Sequence, residues 1–493
     1  VKSRWFAPIC IAVMLFAGLV ALPRLPEQVP IHWNLQGEVD GYGPRWLAVL
    51  LMPAISLVVI ALFRFLPKHD PVSSNETNAA IMRRYGNWLV LFLLIIQMAT
   101  LGNAVGLQFD FLRIVLIGVG MLFVACATDL FALFIGIELT SLSSYALVSF
   151  RKKDVKSAEA ATKYFIIGAM SSGFALFGIS LVYGYAGTTR FDGINYYLIT
   201  QGTENIEIMW VAMIMTVVGF GFKISMVPFH MWAPDVYEGA PTTITAMLAA
   251  GSKKMGFVAM FKFFLIGIIA IKADWELLMA IMAVATMTVG NLAALNQTNI
   301  KRMLAYSSIA QAGYILMAIP VATDYALAGG LFQIVTHAFM KGGAFMIVAT
   351  LGVVAVGESI NDYKGLAKRS PLMAISMTIF LLSLAGIPPL AGFASKFFLF
   401  SAPIDAVTSG NDWLLWLTVA AIINSAISLF YYVRIIKYML VEKGENQEKL
   451  KLPSTMVAAV LICVTAVVVM GIFPGPFFEA CQNAASSFFA FLS

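Results

Sequence analysis

The chain has 493 residues, of which 60% are hydrophobic and 12% charged, and its formal net charge is +6. With a mean hydropathy of +0.86, this composition excludes a water-soluble globular protein of this length. The basic residues lie in short loops rather than along an aromatic-rich stripe, which argues against nucleic-acid binding. The four cysteines are far apart and form no CxxC pair, so they indicate neither an iron–sulfur cluster nor a zinc site.

Apolar runs of membrane-spanning length follow one another along the chain. Because backbone polar groups inside a bilayer must be satisfied within helices, these runs predict an all-α polytopic membrane protein with about fourteen transmembrane helices. The first run is followed by no small-residue cleavage site, so we expect a retained helix rather than a signal peptide. The predicted spans lie at 5–22, 46–66, 88–107, 111–127, 130–150, 164–186, 209–230, 242–271, 276–296, 303–321, 326–352, 372–400, 412–438 and 455–473.

Basic residues orient these spans. The loop at 151–163 is rich in lysine and arginine, and the alternate loops are poor in both, so the positive-inside rule places the 151–163 loop in the cytoplasm. Counting back from it places the basic 67–87 loop outside. This conflict predicts either a separate origin for the front of the chain or an early span that does not cross. The other basic residues predicted on the inner side are Lys301, Arg302, Lys368, Arg369, Arg434 and Lys437.

Two blocks of five predicted helices succeed each other, at 111–271 and 272–438. In each block the fourth span carries a lysine close to proline: Lys223 with Pro228, and Lys396 with Pro388 and Pro389. An odd helix number inverts the second block relative to the first, and proline breaks a helix. The sequence therefore predicts two inverted five-helix repeats with discontinuous helices, preceded by a segment at 1–110 and followed by a C-terminal helix and tail at 439–493.

Ionisable side chains inside the predicted spans form the candidate site. A charge at the centre of a bilayer costs at least ~2.5 kcal/mol, so Glu138, Lys223, Lys253 and Lys396 need an explanation. The functional interpretation is a proton relay in which Glu138 and Lys223 pair and switch protonation. The alternative is a static ion pair, or lysines that extend to the membrane surface. The neighbouring Lys254 is an alternative to Lys253 as the inward-pointing group.

Two histidines extend this set. His230 follows Pro228, and His337 lies in the eleventh span, one helical turn before Lys341 on the same face. Because histidine titrates near neutral pH, both are candidates for passing protons, and His337 with Lys341 is predicted to link two half-channels. The alternative is that each histidine is a hydrogen-bonded packing residue.

Long motifs carry a family resemblance. The stretch from Pro228 to Thr242, with Phe222-Lys223-Ile224-Ser225 before it, closely resembles the N subunit of the proton-pumping NADH:quinone oxidoreductase, complex I. The resemblance covers about 111–475. Further matching stretches are Gly136 to Leu139, Asn299 to Ile309, and Leu384 to Pro389 with Gly392, Phe393 and Lys396.

The resemblance implies a proton-translocating, antiporter-like subunit that couples electron transfer in partner subunits to proton pumping. Glu138 and Lys223 would be the interacting pair, Lys253 the next relay group and Lys396 the group of the second half-channel. His337 and Lys341 look more like the related L and M subunits, which leaves the central relay open.

The same resemblance implies a setting for the chain. It implies no cofactor in this chain, with NADH, FMN and iron–sulfur clusters in partner subunits and a quinone, or a phenazine in an archaeal F420H2 dehydrogenase, at a partner interface. The implied partners are L-, M-, K-, J-, A- and H-type membrane subunits in a prokaryotic cytoplasmic membrane. A subunit of a multisubunit cation/proton antiporter without redox function shares these motifs and is the alternative.

The front segment resembles a different family. Residues Leu25 to Asn34 and Gly37 to Gly43 look like the SdpI-type immunity membrane proteins, a likeness that covers about 1–110. It implies three helices in place of those with which N subunits ordinarily begin, joined to the rest within or beside the fourth span as a natural fusion or a hybrid. An immunity or signalling role accounts for this segment alone, and it predicts that 1–110 suffice for activity.

Overall fold

The computed structural model describes residues 6–33, 39–69, 111–151, 153–201, 205–407, 412–444 and 448–490, together with scattered positions between 86 and 101. The chain divides into two compact units, Val1–Val119 and Gly120–Ser493. The boundary lies inside the helix Phe111–Cys126, which is the fourth predicted span. The candidate site residues all belong to the second, larger unit.

The front unit contains a feature that the sequence did not predict. Helix Phe6–Ala21 and a 3-10 turn, Leu22–Arg24, lead into two antiparallel strands, Gln28–Trp33 and Val39–Pro44, and helix Arg45–His69 follows. This hairpin departs from the all-helical prediction. Val29 and Ile31 are β-branched residues at alternate positions, a pattern that favours a strand, and Val29 is fully buried.

The large unit is a bundle of helices. Its long helices are Leu130–Val148, Val155–Ala186, Ile206–Ile224, Lys272–Leu295, Ile300–Leu316, Asp324–Val353, Leu415–Leu440 and Ser454–Ile472. Shorter helices connect or complete them: Phe191–Thr200, Trp232–Gly239, Thr242–Met247, Lys253–Lys262, Ala318–Val321, Leu366–Arg369, Pro371–Ala385, Ala391–Val407 and Gly475–Phe489.

Within the described residues, ten helices are long and apolar enough to cross a membrane. The prediction of an all-α polytopic membrane protein is therefore confirmed, but the count of fourteen is not. Three predicted spans are not single helices of spanning length: the one at 111–127 is a shorter helix, and those at 242–271 and 372–400 are interrupted. A further predicted span, at 88–107, lies largely outside the described residues.

Each interruption coincides with an irregular stretch of backbone. The 372–400 span is two helices, Pro371–Ala385 and Ala391–Val407. The first ends at Gly386, which has a left-handed φ of 93°, and Pro388 and Pro389 follow without the N–H groups that a helix needs. The 242–271 span keeps a helical course but widens into π-helical turns at Leu248–Ser252 and Phe263–Gly267.

Helix Ile206–Ile224 also stops short of its predicted end. Ser225, with φ 58°, terminates it, and an irregular segment that contains Pro228 leads to helix Trp232–Gly239. The indole Nε1 of Trp232 donates to the Phe222 carbonyl at 2.8 Å, which satisfies one carbonyl at this helix end.

Hydrogen bonds gather the basic loops at one end of the large unit. Arg434 donates to the carbonyls of Leu295 at 2.9 Å and Gln297 at 2.6 Å. Lys364 pairs with Glu442 at 3.0 Å. The segments around 295, 364 and 440 therefore lie together, as the positive-inside rule predicts for one cytoplasmic side.

Candidate functional site

Several basic side chains are buried in the large unit, and of these only Lys301 forms an ion pair among the described residues, with Glu358 at 3.0 Å. Within the described residues, no aspartate or glutamate falls in the buried class. Since an ionised group inside a protein needs a partner, the hydrogen bonds of these side chains decide what the cluster does. The buried basic residues, with their exposed fractions, are Lys223 2%, Lys253 2%, Lys254 6%, Lys262 7%, Lys301 3%, His337 1%, Lys341 0% and Lys396 4%.

Close packing of two helices forms the first part of the site. Helices Val155–Ala186 and Ile206–Ile224 approach so closely that a Cβ added at Gly219 would lie 2.8 Å from the carbonyl oxygen of Ser171. Glycine at this position therefore allows the backbones to meet, as is common between membrane helices. Ser171 and Ser172 of the first helix and Lys223 of the second line the same cavity.

Glu138 and Lys223 line one small cavity of about 10 Å³, but they do not form a direct ion pair among the described residues. Lys223 Nζ donates to Ser141 Oγ at 2.8 Å, and Ser172 Oγ donates to Glu138 Oε1 at 2.6 Å. Ser141 stands one helical turn after Glu138. The predicted pair is thus two groups that line a shared cavity and are each hydrogen-bonded to a different serine.

Two consecutive serines join the next two lysines. Lys253 Nζ donates to the Ser308 carbonyl at 3.1 Å, and Lys341 Nζ donates to Ser307 Oγ at 2.7 Å. The Ser307 hydroxyl is also hydrogen-bonded to the phenol of Tyr432. Helix Ile300–Leu316 therefore links lysines from the two predicted repeats.

Lys254 is buried alongside Lys253 and is not an alternative to it. Its Nζ contacts Nδ1 of His337 on helix Asp324–Val353. Successive helical residues point about 100° apart, yet both side chains face protein because nine of the ten residues in Lys253–Lys262 are buried. From the sequence, only one of the two lysines was expected to point into the protein, because the sequence does not show that this helix is enclosed on all sides.

The break between two helices leaves backbone carbonyls free to accept hydrogen bonds from Lys396. Its Nζ donates to the carbonyls of Leu384 at 2.8 Å and Ala385 at 3.0 Å, and to Ser425 Oγ at 2.8 Å. Both carbonyls belong to the last turn of helix Pro371–Ala385, where backbone acceptors lack intrahelical donors. Lys396 Nζ also lies 4.9 Å from the centre of the Tyr314 ring.

The remaining predicted residues lie at the helix interruptions. His230 is half-buried in the irregular segment, and its buried Nδ1 atom has no hydrogen-bond partner among the described residues. Pro228, Pro388 and Pro389 are exposed and occupy the breaks themselves. The structure thus brings the lysines and His337 together in the interior and leaves His230 outside their hydrogen bonds.

A charged network lies at the ends of three helices of the large unit and was not predicted. Asp235 accepts hydrogen bonds from Lys163 at 2.9 Å and Arg302 at 2.7 Å, and Arg302 also donates to Glu238 at 3.2 Å. Burial raises the pKa of Asp235, but these hydrogen bonds outweigh burial and hold the pKa below its usual value. We refer to Lys163, Asp235, Glu238 and Arg302 as the charged network.

Two protein families match the chain, one within each of its two units. Residues 127–428 match the family described as "NADH:quinone oxidoreductase/Mrp antiporter, TM". Residues 9–57 match a domain of unknown function, DUF1648, within the segment whose sequence resembles SdpI-type proteins. The first match includes Glu138, His337 and the buried lysines.

Relatives and a solved structure extend these matches. The F(420)H(2) dehydrogenase subunit N of Methanosarcina mazei is 42% identical over 488 residues, which cover 96% of this chain and 97% of that protein. Most of 1–110 is therefore inside that alignment. The NADH-quinone oxidoreductase subunit N of Trichlorobacter lovleyi is 43% identical over 370 residues, 74% of each protein.

A chain of respiratory complex I from Thermus thermophilus, solved with bound aureothin, superposes with a TM-score of 0.67 at 27% identity. The superposition covers 96% of this chain and 99% of that one. Given a family match over more than half of its length and a relative 42% identical along nearly all of it, the chain belongs to the NADH:quinone oxidoreductase/Mrp antiporter family of membrane subunits.

Proposed function

We propose that this chain is the antiporter-like, proton-translocating membrane subunit of a complex I type oxidoreductase, in which electron transfer in partner subunits drives protons through the large unit. The observation that carries the proposal is the buried row of basic groups, bound to hydroxyls and carbonyls in a region where the described residues include no buried carboxylate. Titratable groups in the interior of a membrane protein are typical of proton relays.

The position of Glu138 provides a way to control the protonation of Lys223. Glu138 shares a cavity with Lys223, but each is held by a different serine. Attraction between opposite charges grows steeply as they approach in a low-dielectric environment. A small movement of Glu138 toward Lys223 would therefore stabilise the charged lysine, and the reverse movement would favour release of its proton toward Lys253.

We base the proposed complex and its location on the named relatives of the chain. Their names, an F(420)H(2) dehydrogenase subunit and an NADH-quinone oxidoreductase subunit, support a multisubunit redox enzyme. We place the redox cofactors and the quinone or phenazine site in partner subunits. The proposed partners are L-, M-, K-, J-, A- and H-type subunits in a prokaryotic cytoplasmic membrane.

The test is Lys223→Ala in the assembled enzyme, with electron transfer and proton pumping measured in the same vesicles. We expect pumping per electron to fall by about tenfold or more, because the first group of the relay no longer takes up a proton. Lys156→Ala is the matched control, since this side chain is 74% exposed and its removal leaves the interior unchanged. Normal pumping by Lys223→Ala would overturn the proposal.

A cation/proton antiporter subunit without redox partners is the competing assignment, because the family description includes both classes. Affinity purification of the native complex separates them. Iron–sulfur subunits that copurify with the chain in stoichiometric amounts support the redox assignment. A complex without them that exchanges sodium ions for protons contradicts it.

A further inference from the structure

Two helices from the end of the chain contact the helix break beside Lys396. Helices Ser454–Ile472 and Gly475–Phe489 follow residues 127–428, the stretch that matches the family. The first of them meets the break itself, and the second meets helix Ala391–Val407, which begins after the break and carries Lys396. The surroundings of Lys396 therefore depend on helices that lie beyond the family match.

Gly471 is the point at which helix Ser454–Ile472 touches the break. A Cβ added at Gly471 would lie 2.6 Å from the backbone nitrogen of Ala391 and would also overlap the carbonyl oxygen of Pro389. Glycine is therefore needed for the two backbones to meet, a close approach that is common between membrane helices. Any larger side chain at this position must move either the helix or the break.

The backbone of the break in turn contacts Lys396. A Cβ added at Gly386 would lie 3.0 Å from Cδ of Lys396, so the start of the break packs against the lysine side chain. The Gly392 N–H donates to Ser383 Oγ at 3.0 Å, which joins the two helices across the break. The two carbonyls that accept from Lys396 Nζ belong to the turn just before Gly386. A shift of the break would therefore move the acceptors of this lysine.

Phe478 contacts the other side of the helix that carries Lys396. Its ring stacks on the ring of Phe398, with the centroids 3.8 Å apart and the planes 9° apart. Successive helical residues point about 100° apart, so Phe398, two positions after Lys396, points to nearly the opposite side of the helix. Phe478 is 6% exposed, and its ring also lies 5.6 Å from that of Tyr325 and 6.1 Å from that of Phe332. Helix Gly475–Phe489 therefore supports the lysine-bearing helix from behind.

The helix break in the first half is anchored differently. There the Val227 N–H donates to Thr286 Oγ1 at 3.1 Å, and Thr286 belongs to helix Lys272–Leu295, within the predicted repeats. At the second break, the contacts of Gly471 and Phe478 come from outside both predicted repeats. The C-terminal helices therefore act on the second half of the subunit.

We propose that helices Ser454–Ile472 and Gly475–Phe489 form a C-terminal clamp, in which Gly471 and Phe478 are positioning residues that hold the second break against Lys396. This inference rests on the proposed function and deepens it, because it assigns a means of positioning one group of the relay. With the break and the back of the helix both supported, the three oxygen acceptors of Lys396 stay in place. The clamp itself takes up no proton.

The test uses Gly471→Ala and Phe478→Leu in the assembled complex, with protons pumped per electron, electron transfer and thermal unfolding measured together. The added methyl group displaces the break, and leucine keeps apolar volume but loses the stacked ring. We expect pumping per electron to fall several-fold in both variants, because small misplacements of a reacting group are costly. Electron transfer and thermal unfolding are expected to stay close to wild type.

Two neighbouring positions provide matched controls. Gly475→Ala adds the same methyl group where nothing lies within 4 Å of it, and Phe477→Leu changes a ring that is 38% exposed. We expect both controls to pump normally. Phe478→Tyr keeps the stacked ring and is expected to restore most of the loss seen with leucine, whereas a residue that only fills apolar space would tolerate leucine.

The results that would overturn the clamp differ from those that would overturn the proposed function. Normal pumping by Gly471→Ala or by Phe478→Leu overturns the clamp. Equal losses of pumping, electron transfer and assembly also overturn it, because they would indicate a purely structural role. Normal pumping by Lys223→Ala in the same assay overturns the proposed function itself.

Discussion

At the scale of single residues, the hydrogen-bond partner decides the role of each buried lysine. Carbonyl clusters hold Lys262 and Lys396 in a fixed position, whereas Lys223 has one serine hydroxyl and Lys254 has a histidine. A lysine with fewer oxygen acceptors loses less on deprotonation. The groups with few acceptors are therefore the ones that we expect to change charge during turnover.

Ser141→Ala tests this view at Lys223. The change removes the hydrogen-bond acceptor of Lys223, which costs the charged form about 1.5 kcal/mol, and we expect pumping to fall several-fold with electron transfer retained. Ser143→Ala is the control, because Ser143 donates only within its own helix, to Leu139 at 2.9 Å. Equal pumping by the two alanine variants would show that Ser141 does not support Lys223.

The sequence identified the ionisable residues but not the hydroxyls around them. A charge inside an apolar span is costly and stands out, whereas a serine is tolerated in membrane helices and signals nothing by itself. Ser141, Ser172, Ser307 and Ser308 were missed for this reason. Their spacing offered one usable signal, since Ser141 follows Glu138 by one helical turn.

At the scale of helices, glycine determines how closely two neighbouring helices can approach each other. A Cβ added at Gly290 of helix Lys272–Leu295 would lie 2.5 Å from the backbone nitrogen of Ala310 on helix Ile300–Leu316. Helix Ile300–Leu316 carries Ser307 and Ser308. Its position, and with it the bonds to Lys253 and Lys341, depends on this contact.

Gly290→Val is expected to separate the two helices and to destabilise the complex by about 1–3 kcal/mol, the usual cost of overpacking. The measurement is thermal unfolding of the purified complex, followed by pumping at a permissive temperature. Gly184→Ala is the control, since nothing lies within 4 Å of its added Cβ. Unchanged stability in Gly290→Val would mean that the helix pair adjusts without loss.

Helix interruptions were predictable only where proline causes them. Pro388 and Pro389 remove backbone donors, and their place in the sequence indicated the break between Ala385 and Ala391. The π-helical turns beside Lys253–Lys262 contain no proline and left no such signal. The front hairpin was missed because strands of six residues give a weak pattern beside long apolar helices.

At the scale of the whole molecule, the charged network connects segments that lie far apart in the chain. Lys163, Asp235 and Arg302 belong to three different helices and meet at one carboxylate. Long-range charge pairing of this kind was not predictable, because each residue alone looked like a solvated loop charge. The predicted count of fourteen spans is not confirmed within the described residues, in part because composition does not show where a helix is interrupted.

The network makes stability depend on pH at the acidic end. Because the pKa of Asp235 is lowered in the folded protein, its contribution is complete above the unfolded value of about 3.9 and is lost as pH falls through the lower, folded value. We expect Asp235→Asn to cost about 1–2 kcal/mol near neutral pH, allowing for partial exposure. Thermal unfolding of wild type and variant across this range measures both effects, and parallel pH curves would contradict the assignment.

The pair of adjacent serines in helix Ile300–Leu316 has a mechanical consequence. Ser307 and Ser308 hold Lys341 and Lys253, one lysine from each half of the subunit. A rotation or translation of this one helix would therefore alter both hydrogen bonds at the same time. We expect the two halves of the subunit to change conformation together rather than independently.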